Sequence, residues 1–267
     1  MLTRRLAIQA ALAAAAGCAG SLPAHGQRAD VVYVPTPHET VERMLRLADV
    51  GAKDFVIDLG SGDGRIPIAA ARRGARALGI EIDPERIGEA NANVQRAGVA
   101  NRVTFRQEDL FKTPLTEATV ITLYLLPELN ARLAPRLLAL SPDTRIVSHL
   151  FPMGDWKPDA TDAEGGMIYL WIVPPRVTGR WQVHHGNGPF TVDFTQRYQE
   201  VGGTARFAGG TTPIFNGGLQ GNAIEFAVGI AGKPVQFRGM VDGNRMQAAP
   251  AGLVSGVQTV AWSATRM

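Results

Sequence analysis

Asp54-Phe55-Val56-Ile57-Asp58-Leu59-Gly60-Ser61-Gly62-Asp63-Gly64-Arg65 is the stretch on which the fold turns. Phe55 to Leu59 is a short apolar run, partly β-branched, that breaks into glycines and then into an alanine-rich segment. Such a run reads as a buried parallel strand, followed here by a loop and a helix. Gly60, Gly62 and Gly64 allow a tight turn and a close approach of ligand to backbone, and the helix start offers unpaired N–H groups. A dinucleotide fingerprint, G-x-G-x-x-G, would need its third glycine where Arg65 stands, so this G-x-G-x-G loop is a different device.

Upstream, residues 31–37 are extended by valines and two prolines. A helix is expected next, with Val41, Met44, Leu45, Leu47 and Ala48 on its buried face, Thr36 or Thr40 near its start and Gly51 past its end. Downstream, strands are expected over 76–82, 103–106, 119–125 and 145–150. Helices lie between them, one capped by Asp83 and stopped by Gly98, another opened by Pro127. This alternation implies right-handed βαβ units and a parallel sheet. Ligands in such sheets sit beyond the carboxyl ends of the strands, where residues 58–64, Glu81, Asp109 and Tyr124 fall. After Pro174-Pro175 the helical period gives way to short strands at 181–184, 190–198, 204–207, 223–228, 235–241 and 257–264, separated by glycine turns. The fold class is therefore a Rossmann-like, doubly wound, mostly parallel α/β sheet followed by a small antiparallel β barrel or sandwich. The corresponding segments are 29–175 and 176–267.

Residues 1–26 read as a leader. Arg4-Arg5 precedes a run of small apolar residues, 7–16, too short to span a membrane but suited to a signal peptide. Export to the periplasm or envelope is expected, with the arginine pair resembling a twin-arginine signal. Cleavage near Gly26 is preferred to lipidation at Cys18, and no span is expected in the mature chain. Cys18 is the only cysteine, which excludes an internal disulfide and a thiolate metal cluster. The net charge of +3 comes without a Lys/Arg block in the folded region, so no nucleic-acid footprint is expected. His184 and His185 are adjacent on a strand and point to opposite faces, which argues against a shared metal.

The strand ends carry the chemistry. Carboxylates at Asp58 and Asp63 disfavour a pyrophosphate and suit a ligand bearing an ammonium and a sulfonium, which is S-adenosylmethionine. Glu81 is placed to accept from two ribose hydroxyls, and Asp109 from an adenine amine, with Ile82, Leu110 and Phe111 against the ring. Tyr124 and His149, after the fourth and fifth strands, are the candidate catalytic residues, and the 149–156 stretch is expected to line an acceptor pocket. His149 could serve as a base, but a strand-end histidine is more often structural.

Asp58-Leu-Gly-Ser-Gly-Asp-Gly, Glu81-Ile-Asp-Pro and Glu108-Asp109-Leu-Phe resemble the first three motifs of the class I, seven-strand S-adenosylmethionine-dependent methyltransferases. Together with Tyr33-Val-Pro-Thr-Pro, the loop resembles the mitochondrial lysine methyltransferases acting on ATP synthase subunit c and the adenine nucleotide translocase. That resemblance covers about residues 30 to 173. It implies a protein lysine as acceptor, and a cofactor site in which Tyr33, Pro35 and Thr36 fold over the ligand. Two other readings stay open: a small-molecule methyltransferase, and an exported, non-enzymatic binding protein that keeps the fold.

The leader is tested by the intact mass of protein from its native host. A chain beginning after about residue 26 is expected; one that begins at Met1, or at a lipid-modified Cys18, overturns this expectation.

Overall fold

The computed structural model describes residues 33–186, 188–249 and 261–267. The leader with Cys18, Val31 and Val32, and residues 257–260 of the expected last strand lie outside them.

The first strand forms where expected. Phe55–Leu59 (β1) is buried along almost its whole length and pairs in parallel with Arg76–Glu81 (β2) on one side and Val120–Leu123 (β4) on the other. Val103–Gln107 (β3) extends the sheet beyond β2, and Arg145–His149 (β5) extends it beyond β4. Two strands that the sequence reading missed complete it: Ala160–Asp162 (β6) and Ile168–Ile172 (β7), each antiparallel to its neighbour. The order is β3-β2-β1-β4-β5-β7-β6, so the chain reverses direction across the sheet between β1 and β4. A crevice opens at that switch point.

His38–Leu47 (α1), Arg65–Arg72 (α2), Pro84–Ala97 (α3) and Pro127–Leu137 (α4) cover the sheet. α3 is bounded as its sequence dictates: Asp83 accepts from the Glu85 N–H at 2.8 Å and Gly98 ends the helix in the left-handed region. α1 is not. Its N-cap is Pro37 without a side-chain cap, and Ala48 rather than a glycine follows its last turn. Thr36 is instead buried beside the crevice. Asp54 secures the entry to β1, accepting from the Gly51 N–H, the Thr119 hydroxyl and the Arg145 guanidinium.

The second unit is a closed antiparallel barrel rather than a sandwich. It runs in chain order through Gly179–His185 (β8), Phe190–Arg197 (β9), Glu200–Phe207 (β10), Gly210–Gln220 (β11), Ala223–Ile230 (β12), Lys233–Asp242 (β13), Arg245–Ala248 (β14) and Trp262–Arg266 (β15), with β15 closing on β8. Closure leaves no free sheet edge. Trp181, Phe190, Phe194, Phe226, Phe237 and Trp262 fill the interior as a packed core. β11 was missed because Pro213, Gly217 and Gly218 interrupt its pattern, and β14 because it is only four residues long. His184 is exposed while the His185 ring lies 5.4 Å from Phe237, so the two do take opposite faces. No helix among the described residues is long and apolar enough to cross a membrane.

The connection between the two units is held tightly. Pro174, Pro175 and Val177 are buried. Gln196 of β9 accepts from the Val177 N–H at 2.8 Å and donates to the Pro175 and Tyr198 carbonyls. Removing that amide leaves buried backbone groups unpaired, at a cost of about 1–3 kcal/mol. Limited proteolysis is therefore expected to spare residues 174–178 in the native chain and to cut there in Gln196→Ala. Equal cutting in both proteins would show that Gln196 does not hold the connection.

Candidate functional site

Glycine positions the ligand loop. Gly60, Gly62 and Gly64 all take positive φ, at 81°, 51° and 81°. A Cβ on Gly62 would fall inside the Tyr33 ring, so only glycine lets the 33–37 segment lie on the loop. Gly79 of β2 was not foreseen. A side chain there would strike Phe105 and come within 2.6 Å of Ser61 Oγ.

Two carboxylates then define the crevice. Asp58, near the end of β1, is 2% exposed and accepts from the Thr122 hydroxyl at 2.6 Å, its register partner on β4. Burial pushes its carboxyl up to about 7, against the pull of the Thr122 hydrogen bond and with the Glu81 charge adding to the rise. Glu81, at the end of β2, accepts from the Gly62 N–H at 2.9 Å through one oxygen and from the Ile82 and Asp83 N–H groups through the other. It thus pins the loop before any ligand arrives. Asp63 does not face the ligand as a free anion. Arg65 grips it from 2.6 Å, and although burial alone would raise the Asp63 carboxyl, that guanidinium holds it below the ordinary carboxylate range.

These groups line one cavity of about 830 Å³. Nine of the expected cofactor residues reach it: Tyr33, Pro35, Thr36, Asp58, Gly60, Glu81, Ile82, Asp109 and Leu110. Gly62 and Gly64 do not, because Tyr33 covers the first and Phe105 the second. The Tyr33 hydroxyl accepts from the Asp63 N–H, and Arg65 donates to the Thr36 carbonyl at 2.7 Å, so the strap is tied to the loop at two points. Arg86 lies over the Tyr33 ring at 4.5 Å, and Arg132 over Phe111 at 3.7 Å. Asp109 accepts from the Phe111 N–H, and Arg136 of α4 donates to the carbonyls of Leu110, Phe111 and Thr113. Arg136 thereby shapes the floor expected to receive a ring; nothing in its sequence surroundings marks it.

At the other end of the cavity stands Tyr124, with Leu125 and Leu129. His149 does not line the cavity. Its ring sits behind Tyr124, centroids 4.3 Å apart, with Nδ1 buried and unpartnered and its basicity lowered by burial and by Arg43. Nor, against expectation, does any residue of the 149–156 stretch line it. Phe151 stacks 6.2 Å from Tyr124, whereas Trp156 is buried against the barrel.

The residues present fit S-adenosylmethionine. Asp58 is a buried carboxyl with a single neutral donor, whose ionised form is the partner an ammonium needs, and the Ser61 hydroxyl is buried in the lining without a protein partner. The Glu81 oxygen that accepts from Gly62 keeps room for a ribose hydroxyl, and Ile82, Leu110 and Phe111 offer apolar faces for the ring.

An ammonium bound beside Asp58 lowers that carboxyl's affinity for its proton, so binding releases a proton below about pH 7. Calorimetry should show S-adenosylmethionine affinity rising with pH up to about 7 and levelling above it. Asp58→Asn should weaken binding roughly ten- to a hundredfold and flatten that profile. An unchanged profile in the variant would remove Asp58 from the ammonium site.

The ANTKMT methyltransferase domain family matches residues 58–160, which run from the end of β1 to the start of β6. A protein-lysine N-methyltransferase of Saccharolobus islandicus is 43% identical over 151 residues, 54% of this chain and 94% of that protein. The adenine nucleotide translocase lysine N-methyltransferase of Mus musculus is 37% identical over 61% of this chain and 67% of its own length. Among solved structures, one described as an RNA methyltransferase from Salinibacter ruber, in complex with S-adenosyl-L-homocysteine, is 56% identical over 54% of this chain and 96% of its own, with a TM-score of 0.53. The chain belongs to the ANTKMT family of S-adenosylmethionine-dependent methyltransferases and is an enzyme of that class.

Proposed function

We propose that this methyltransferase transfers its methyl group to a lysine side chain of a protein. The observation that carries the reading is the lining of the cavity, six carboxylates against three guanidiniums, closed at one end by Tyr124, Leu125 and Leu129. Such a lining admits a cationic side chain and repels a polyanion. The lysine methyltransferase relatives support the same acceptor. The description of the Salinibacter ruber protein supports a second reading, an RNA acceptor. We further propose that the leader exports the enzyme to the periplasm or envelope, and that residues 29–175 and 176–267 are separate domains.

When bound, S-adenosylmethionine supplies a methyl group activated by a sulfonium. The chain's own residues then align and desolvate. Asp58 would pair with its ammonium and Glu81 with its ribose hydroxyls, while Tyr33, Pro35 and Thr36 would cover it. A lysine arrives protonated and attacks only as the neutral amine, which burial against Tyr124, Leu125 and Leu129 favours. The proton leaves toward solvent. Holding the amine in line with the sulfonium would turn a bimolecular encounter into an effectively unimolecular step. His149 acts through Tyr124, whose ring it backs, and not on the amine directly.

Tyr124→Ala should keep S-adenosylmethionine affinity within a few-fold and lose methyl transfer by about a hundredfold. Radiolabelled S-adenosylmethionine incubated with host lysate provides the test. Label is expected in the protein fraction, to resist ribonuclease and to vanish when lysines are blocked by reductive alkylation. Label in RNA or in a small-molecule fraction, or label that survives lysine blocking, overturns the lysine reading.

A further inference from the structure

We propose that the barrel positions the acceptor side of the active site, with Tyr198 at the tip of the β9–β10 hairpin as the positioning residue. The proposal rests on the reading of Tyr124 as the acceptor end of the cavity.

The chain segment between β5 and β6 has two anchored ends. At the cavity end, Phe151 stacks on Tyr124, and the Phe151 carbonyl accepts from Ser148 at 2.7 Å and from Asn130 at 3.1 Å. At the other end, a bridge between Met153 and Trp156 folds the segment into a tight turn, and the Trp156 carbonyl accepts from the Trp171 indole at 2.8 Å. Trp156 is 1% exposed. Its outer ring face is covered by the barrel.

That cover is Tyr198. Its ring stacks on Trp156 at 5.9 Å with planes 9° apart. Tyr198 is the first of the two residues joining β9 to β10, and its φ is +54°, a left-handed conformation that a tyrosine rarely adopts. Strain of this kind persists only where surrounding contacts over-determine the backbone. Here they do: Gln196 donates to the Tyr198 carbonyl, Gln199 donates to the Lys157 carbonyl at 2.8 Å, Arg197 pairs with Asp155 at 2.9 Å and Lys157 with Glu200 at 2.8 Å. The ion pairs are exposed and weak. The ring stack and the Gln199 hydrogen bond are the stiff elements. A turn clamped at Trp156 leaves four residues, 152–155, between it and Phe151, too short a span to let the Tyr124 wall move independently. The barrel closes the segment from outside as Asn130 does from inside.

The test uses the full chain in three forms: native, Tyr198→Ala and Tyr198→Phe. Tyr198→Ala should bind S-adenosylmethionine with native affinity by calorimetry and speed hydrogen exchange of the 149–157 amides. It should also lower methyl transfer at saturating lysate about tenfold or more, a loss in kcat rather than KM for the cofactor. Tyr198→Phe keeps the stacked ring and should restore both rate and protection. Should the alanine variant fail to fold, Gln199→Ala, which removes the bonds to the Lys157 carbonyl and the Asp159 carboxyl but leaves the ring stack, should raise exchange in the same segment by a smaller factor. Native exchange at 149–157 in either alanine variant, or a native transfer rate in Tyr198→Ala, overturns the proposal. Transfer that falls in Tyr198→Ala but goes to a non-protein acceptor supports the clamp and overturns the lysine reading. No transfer by the native chain to any lysate fraction overturns both.

Discussion

Glu81 holds the glycine loop in its ligand-ready shape, and the rest of the site depends on that hold. One carboxylate accepts three backbone N–H groups, Gly62 from the loop and Ile82 and Asp83 from the strand end. Charged hydrogen bonds of this kind are worth about 1.5–3 kcal/mol each. A loop of three left-handed glycines would otherwise retain much of its freedom, because glycine loses more conformational entropy on ordering than any other residue. With Gly62 fixed, Tyr33 has a flat surface on which to lie and the strap has a place to stop. Glu81 therefore orders the loop as well as offering an acceptor to the ligand.

Asp58 shows the opposite balance. Its burial favours the protonated form in the fold, so the stability it contributes is present at low pH and lost as the pH rises through about 7. A bound ammonium reverses the sign locally, because the ionised carboxyl then has its partner. Cofactor binding should thus stabilise the fold more above pH 7 than below it. The Thr122 hydroxyl cannot substitute for that partner, since it provides one neutral donor to a group with about four acceptor sites. A site that is uncomfortable when empty at neutral pH is a site selective for cations.

The strand, loop and helix around Asp58 were legible in the sequence because their signals are local: an apolar run, glycines, and a helix start within twelve residues. Glu81 and Asp109 were legible because strand ends in a parallel sheet all face the same crevice. Less local features were hidden. β7 reads Ile-Tyr-Leu-Trp-Ile, an apolar run that suits a buried strand, but its antiparallel place beside β5 is set by the chain's return across the sheet edge. β11 hides behind a proline and two glycines because a barrel tolerates bulges that a flat strand pattern forbids. His149 sits at a strand end just as Asp58 does, yet its ring backs Tyr124 instead of facing the cavity. Side-chain direction after the last strand residue is decided by packing, and Leu150 at φ +62° turns the chain away at that point. Arg136, Gln196 and Tyr198 act on residues 20 or more positions away or on another unit, which no local pattern records.

Charge is distributed so that the cavity's cations are already occupied. Arg65 is held by Asp63 and the Thr36 carbonyl, Arg86 by Glu89 and the Tyr33 ring, and Arg132 lies on the face of Phe111. None of the three is turned freely toward a ligand phosphate. Of the six carboxylates, Asp63 is neutralised by Arg65, and Asp83 caps α3. Asp58, Glu81, Glu108 and Asp109 remain, with the exposed Lys112 3.6 Å from Asp109. The local field in the crevice is therefore negative although the whole chain carries a formal charge of +3. Surface charges farther than about 10 Å are screened at ordinary ionic strength, so the crevice field and not the net charge decides what enters. A sulfonium with an ammonium on one side and a lysine on the other are both cations, and one negative crevice between β1 and β4 serves for both.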